Sequence, residues 1–375
     1  MVETKFKHTE IGLIPYDWEV KTIKEFADIT TGSQNTQDHV DDGKYPFFVR
    51  SPKVERINKY IFDTEGVVTA GDGVGTGKIY HYINGKFGLH QRCYLMYNFA
   101  DVSAKYFYWI FSRNFYDRVQ SMTAKSSVDS VRMEMIADMS IPLPPTLAEQ
   151  ERIAGALSSI DTLIGALNEQ IEKKRHIKQG TMQQLLTGKK RLAGFTGEWI
   201  SVKLEKIATI TIGEFVHKNK QNPNGLYPVY NGGVTETGYY DDYNNTANKI
   251  VISARGAAGF INKVEIPYWA GNSSYSIGVF DTNFDWIYVY YFMKSKEETL
   301  TGNRQQGGGV PAVNKNQITE FNIWAPSTIA EQSTIAAVLS GMDTEIAALE
   351  QKRDKYIAIK SGMMQQLLTG KIRLI

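Results

Sequence analysis

The residues that come nearest to a catalytic arrangement in this sequence fail on spacing. Gly71-Asp72-Gly73-Val74-Gly75-Thr76-Gly77-Lys78 has the glycine density of a phosphate-cradling loop. Such a loop needs a glycine five places before its Gly-Lys pair and a Ser or Thr after the lysine. Those positions hold Asp72 and Ile79, so the segment reads as a tight connection between strands. The single cysteine, Cys93, can form neither an internal disulfide nor a thiolate metal site, and reads as a small buried apolar side chain. No His-Glu-x-x-His, Cys-His zinc spacing or Ser-centred nucleophile elbow occurs. A base-flipping methyltransferase would carry Asn-Pro-Pro-aromatic or Asp-Pro-Pro-aromatic, whereas Pro144-Pro145 follows Leu143. The chain is therefore expected to be non-catalytic, with no metal and no cofactor of its own.

Recognition chemistry is better represented. Loops rich in glycine or turn residues carry Arg50-Ser51-Pro52-Lys53, Gly73 with Lys78, His90-Gln91-Arg92 and Lys125-Ser126-Ser127 in the first half. Asn231-Gly232-Gly233, Ser253-Ala254-Arg255-Gly256, Asn272-Ser273-Ser274 and Arg304-Gln305-Gln306 occupy comparable places in the second. Arg, Lys, Asn, Gln and Ser on loops are the side chains that read base edges and hold phosphates. Arg255 could contact guanine through two parallel hydrogen bonds, worth about 1–3 kcal/mol of discrimination. By contrast, Tyr106, Phe107, Ile110, Phe111 and Phe115 fall at helical spacing, as do Trp286, Val289, Tyr290 and Met293. Both sets read as core rather than as stacking platforms.

What must position these loops is visible as a repeat. Residues 141–192 align without a gap on 323–374, with roughly 29 of 52 positions identical at a shift of ~182. The likeness is strongest in Ala148-Glu149-Gln150 against Ala330-Glu331-Gln332, and in the runs Met182-Gln183-Gln184-Leu185-Leu186 and Met364-Gln365-Gln366-Leu367-Leu368. Upstream, Trp18, Ile23, Ala27 and Gly32 line up with Trp199, Leu204, Ala208 and Gly213. Between these leading segments and the repeated tails the halves share little beyond strand-like patterning. The order is variable domain (1–145), helix (146–190), variable domain (191–327), helix (328–375).

The repeated segments have the pattern of long helices. Ile153, Leu157, Ile160, Ile164, Leu167 and Ile171 alternate steps of four and three, and Ile335, Leu339, Met342, Ile346 and Leu349 do the same. Thr146 with Glu149, and Thr328 with Glu331, stand at capping-box spacing after prolines, and both segments stop at Thr-Gly. Some 40 helical residues span ~60 Å, more than one domain can cover. The apolar stripes are therefore expected to pair as an antiparallel two-stranded coiled coil related by a pseudo-twofold axis. The polar residues repeated most closely, Glu149, Gln150, Gln183, Gln184, Glu331, Gln332, Gln365 and Gln366, are expected to face outward as a surface used twice. The fold class expected is α+β: two mixed α/β recognition domains and a helical spacer.

Length and composition permit this. A chain of 375 residues can form two domains without staples, and 42% hydrophobic with 22% charged residues is ordinary for a globular protein. The net charge of +2 is too small to argue for nucleic acid unless charge is local or shared with partners. No apolar run approaches a membrane span, and residues 1–10 lack the pattern of a secretory signal, so a cytoplasmic protein is expected.

The doubled pattern of a Pro-rich exit, Ala-Glu-Gln, a heptad helix and Gln-Gln-Leu-Leu-Thr-Gly-Lys resembles the specificity subunit of type I restriction-modification enzymes across essentially the whole chain. The resemblance implies that each variable domain is a target-recognition domain and that the helices are shared spacers. It implies an asymmetric bipartite DNA site, two methyltransferase subunits that bind S-adenosylmethionine, and motor-nuclease subunits. The loops around Gly73 and Gly256 and the segments around Ser127 and Gly309 match recurrent positions of such domains. Two other readings stay open: the recognition subunit of a related methyltransferase or phage-defence complex, and a carbohydrate-binding adaptor suggested by the Tyr-, Asn- and Gly-rich stretch 227–243.

Overall fold

The computed structural model describes residues 5–73, 75–123, 130–301 and 312–375, in two compact units. The first comprises residues 1–168 and 352–375, and the second residues 169–351. Each unit thus holds one variable domain, the start of the helix that follows it, and the end of the other long helix.

In the first unit a six-stranded sheet has the order Asp28–Thr31, Cys93–Tyr97, Phe62–Ala70, Tyr80–Leu89, Tyr45–Phe48, Glu55–Ile57. All its pairings are antiparallel except that of Tyr45–Phe48 with Tyr80–Leu89. The helix Ala104–Thr123 buries Tyr106, Phe107, Ile110, Phe111 and Phe115, the face its spacing predicts. Cys93 is buried on the sheet, and burial pushes its thiol up to about 12, so it stays protonated at neutral pH.

In the second unit four antiparallel strands lie in the order Thr209–Ile212, Ser274–Gly278, Lys249–Ser253, Ile261–Val264, beside a three-stranded sheet of Gly238–Tyr240, Tyr227–Tyr230 and Trp269–Ala270. The helix Trp286–Ser295 starts at Asp285, whose side chain accepts from the amides of Ile287 and Tyr288. Its buried face is Tyr288, Val289, Tyr291, Phe292 and Met293, while Trp286 and Tyr290 are only half-buried. All four members of the stripe read from sequence belong to the core, Val289 and Met293 within it and Trp286 and Tyr290 packed at its margin.

Each domain is tied at its neck by its own leading and exit strands. Glu19–Thr22 pairs with Ser140–Leu143, and Trp199–Lys203 pairs with Asn322–Pro326, both antiparallel. The long helices Leu147–Leu185 and Ile329–Leu367 follow these exits, 39 residues each. Gly188 and Gly370 end them at φ +72° and +66°, the left-handed conformation a C-terminal glycine supplies.

Within each unit the two helical segments run antiparallel. In the second unit Lys174 pairs with Glu345 at 2.6 Å and Lys178 with Asp343, so later residues on one segment meet earlier ones on the other. In the first unit Lys360 pairs with Asp161, the repeat image of the Lys178–Asp343 pair. The cores are shared in the same way. Ile153, Ala154 and Leu157 join Leu367 and Leu368 beneath the first domain, and Ile335, Ala336 and Leu339 join Leu185 and Leu186 beneath the second. Each helix start therefore packs on its own domain as well as against the end of the other long helix. No helix of the described residues is long and apolar enough to cross a membrane.

Candidate nucleic-acid interface

Strand order gathers loop residues that are distant in sequence. In the first unit Arg50 follows the strand Tyr45–Phe48, Asp72 follows Phe62–Ala70, and His90-Gln91-Arg92 forms the turn between Tyr80–Leu89 and Cys93–Tyr97. Because these strands are neighbours, their loops converge. Asp72 Oδ1 accepts from Arg50 Nη1 at 2.7 Å and Oδ2 accepts from Arg92 Nη1 at 2.5 Å. Burial alone would raise the Asp72 carboxyl, but the two guanidiniums outweigh it and hold the group below the usual carboxylate range, so it is ionised at neutral pH. His90 is buried, its Nδ1 accepts from the Arg92 amide at 3.0 Å, and burial together with Arg50 lowers its pKa. It serves as a neutral turn-builder rather than a cationic contact.

The remaining first-domain candidates divide. Gln91 is exposed and donates to Asn35 Oδ1 at 2.5 Å. Ser51 Oγ accepts from the Lys53 amide, an ordinary turn bond, and the exposed Lys53 pairs with Glu55. Lys78 is exposed over the Tyr116 ring. Gly73 has φ +80°, which closes the loop beside Asp72.

The second unit builds the same frame with other side chains. Gly71 donates its amide to the Arg92 carbonyl, and Ala254 donates to that of Ser273. Asp72 forms an isolated antiparallel bridge with Ser130, and Arg255 forms one with Ala312. Gly256 repeats the positive φ of Gly73, at +70°. Arg255 therefore stands where the first domain has Asp72. It is exposed and, among the described residues, makes no ion pair or side-chain hydrogen bond. Asn231 Oδ1 accepts from the Ser273 amide at 3.0 Å, which ties the loop after Tyr227–Tyr230 to the turn before Ser274–Gly278, and Asn272 is half-buried in that turn. Lys125, Ser126, Ser127, Arg304, Gln305 and Gln306 lie outside the described residues.

Four of the eight residues expected on an outward surface are corrected. Glu149, Gln150, Glu331 and Gln332 are 1%, 2%, 1% and 0% exposed. Arg373 grips Glu149 through Nε and Nη2 and also binds Asp17, while Arg191 grips Glu331 through Nε at 2.5 Å and Nη2 at 2.6 Å. Thr146 Oγ1 still caps the Glu149 amide, but the glutamate side chains are drawn to these arginines instead of closing a capping box. Gln150 accepts from the Ser103 amide and donates to the Pro144 carbonyl, and Gln332 does the same with Asp285 and Pro326. The repeated Ala-Glu-Gln is an internal bracket between helix start, domain helix and the returning chain. Gln183, Gln184 and Gln365 are exposed, and Gln366 is half-buried.

A family model described as the type I restriction modification DNA specificity domain matches residues 15–174 and again 196–358. The chain belongs to this family. Several curated relatives named as specificity subunits match over nearly their full length. They include that of the type I restriction enzyme MjaVIII of Methanocaldococcus jannaschii, 25% identical over 99% of this chain and 96% of the relative. The EcoDI specificity subunit of Escherichia coli is 21% identical over 96% and 89%. The fold matches the crystal structure of a type I restriction-modification system S subunit from M. genitalium, with TM-score 0.77 and 18% identity over 97% of this chain and 98% of that one. The chain is thus a type I specificity subunit by family, and sequence specificity for DNA is the family's function.

Proposed function

We propose that this specificity subunit is non-catalytic and reads a bipartite, asymmetric DNA site, one half-site per recognition domain. The observation that carries the reading is the equivalence of the Asp72 and Arg255 positions: one loop frame, built twice, with unlike polar chemistry. A frame repeated with different side chains suits two half-sites of different sequence.

On this reading the long helices set the spacer between half-sites, because each contributes residues to both units. The exposed Gln183, Gln184 and Gln365 belong to the surface that receives two methyltransferase subunits, which supply S-adenosylmethionine, and motor-nuclease subunits join that complex. Methylation mapping of DNA from cells that express the chain with its partner subunits tests this. The expected result is one motif of two unlike half-sites around an unspecified spacer; a continuous motif, or none, refutes it. A salt titration of binding adds a second test, since a DNA reader loses affinity steeply with ionic strength through counterion release and a glycan binder does not.

A further inference from the structure

Resting on the reading above, we propose that Asp72 is a positioning residue that presents Arg50 and Arg92 to a guanine in the half-site read by the first domain. Asp72 takes Nη1 of each arginine, at 2.7 Å and 2.5 Å. Nη1 lies on the side of the guanidinium away from Nε–H. The opposite edge, Nε–H with Nη2–H, has no partner among the described residues on either arginine. That edge carries two parallel donors and fits two acceptors set side by side, as guanine O6 and N7 are in the major groove.

Two arginines on separate loops would otherwise sample many rotamers. A shared carboxylate holds both by one end, so less freedom is lost on binding. Both side chains remain substantially exposed beside Asp72, which is largely buried. A phosphate oxygen pair offers the same acceptor geometry. The ionised Asp72 cancels one of the two positive charges, so this pair attracts phosphate less than two free arginines would. A neutral base edge is recognised by donor geometry and does not depend on that charge. The second domain has Arg255 at the equivalent place, with no ion pair among the described residues, so its half-site is read without this pairing.

The test uses the full chain in complex with its partner subunits and selects duplexes from a library randomised over both half-sites. Wild type is expected to select at least one G·C pair in the first domain's half-site. Asp72→Ala should lower selection at that pair by roughly five- to 150-fold, the range of one bidentate contact, and leave the other half-site unchanged as an internal control of folding. Asp72→Glu should restore part of the preference. Arg92→Lys keeps the charge but not the two-donor edge, and should relax the same pair. Several outcomes would overturn the proposal: an unchanged preference in Asp72→Ala, loss of both half-sites together, or no G·C pair in the wild-type half-site. A uniform loss of affinity across sequences with a shallower salt dependence would show phosphate contact instead, and would also overturn it. If wild type selects no two-part site at all, the underlying functional reading fails rather than the role of Asp72 alone.

Discussion

Replacing Arg373 with alanine removes a cation from a carboxylate that has no access to water. Glu149 is 1% exposed, and both its oxygens receive N–H groups of Arg373, which also binds Asp17 and lies over the Trp18 ring. Breaking a buried pair by deleting one partner leaves an uncompensated charge, at a cost of about 3–5 kcal/mol. With a denaturant slope of roughly 1–3 kcal/mol/M in urea, the first unit's transition should move down by about 1 M or more. The second unit should be unaffected, since its own glutamate is held by Arg191. Equilibrium urea unfolding followed by circular dichroism measures this, with Arg191→Ala as the matching perturbation of the other unit. Arg373→Ala combined with Glu149→Gln buries no charge and should be more stable than Arg373→Ala alone. A loss below about 1 kcal/mol in the single variant, or strict additivity in the double, would refute the bracket as the closure of the unit.

Three further outcomes follow. Asp17 is held below the usual carboxylate range by its hydrogen bonds to Arg373, so its contribution is present above the unfolded-state value near pH ~4 and fades as pH falls through the lower folded value. Asp17→Asn should therefore destabilise at pH 7 and be neutral in strong acid, and a constant difference across a pH series of unfolding curves would count against that pairing. A Cβ at Gly370, already at φ +66°, would stand 2.3 Å from Pro15 Cγ, so Gly370→Ala should cost about 1–3 kcal/mol in the same assay, whereas Gly155→Ala, where nothing lies within reach, should be neutral or slightly stabilising. Four residues added in register to both long helices, ~6 Å of rise, should lengthen the recognised spacer by one or two base pairs in methylation mapping, and an unchanged spacer would reject the helices as the ruler.

The sequence made the architecture legible because the repeat is long and gapless, and because apolar steps of four and three specify a helix whatever lies around it. It did not reveal which repeated polar residues point inward. Glu149 and Gln150 look like any solvated pair on a helix, and their burial depends on Arg373 and Ser103, residues far away along the chain. Asp72 was visible only as the residue that spoils a phosphate loop. Its role depends on Arg50 and Arg92, 22 and 20 residues away, which meet it through strand order. The helix Trp286–Ser295 shows a similar limit: with aromatics on nearly every face, periodicity alone does not show that Tyr288, Tyr291 and Phe292 are buried more deeply than Trp286 and Tyr290.

The central claim is that the two recognition loops act independently on two half-sites. Its most direct test is binding-site selection with Arg255→Ala in the full chain assembled with its partner subunits. Base preference is expected to relax in the half-site read by the second domain while that of the first is retained at every position. Changes in both half-sites, or in neither, would contradict it.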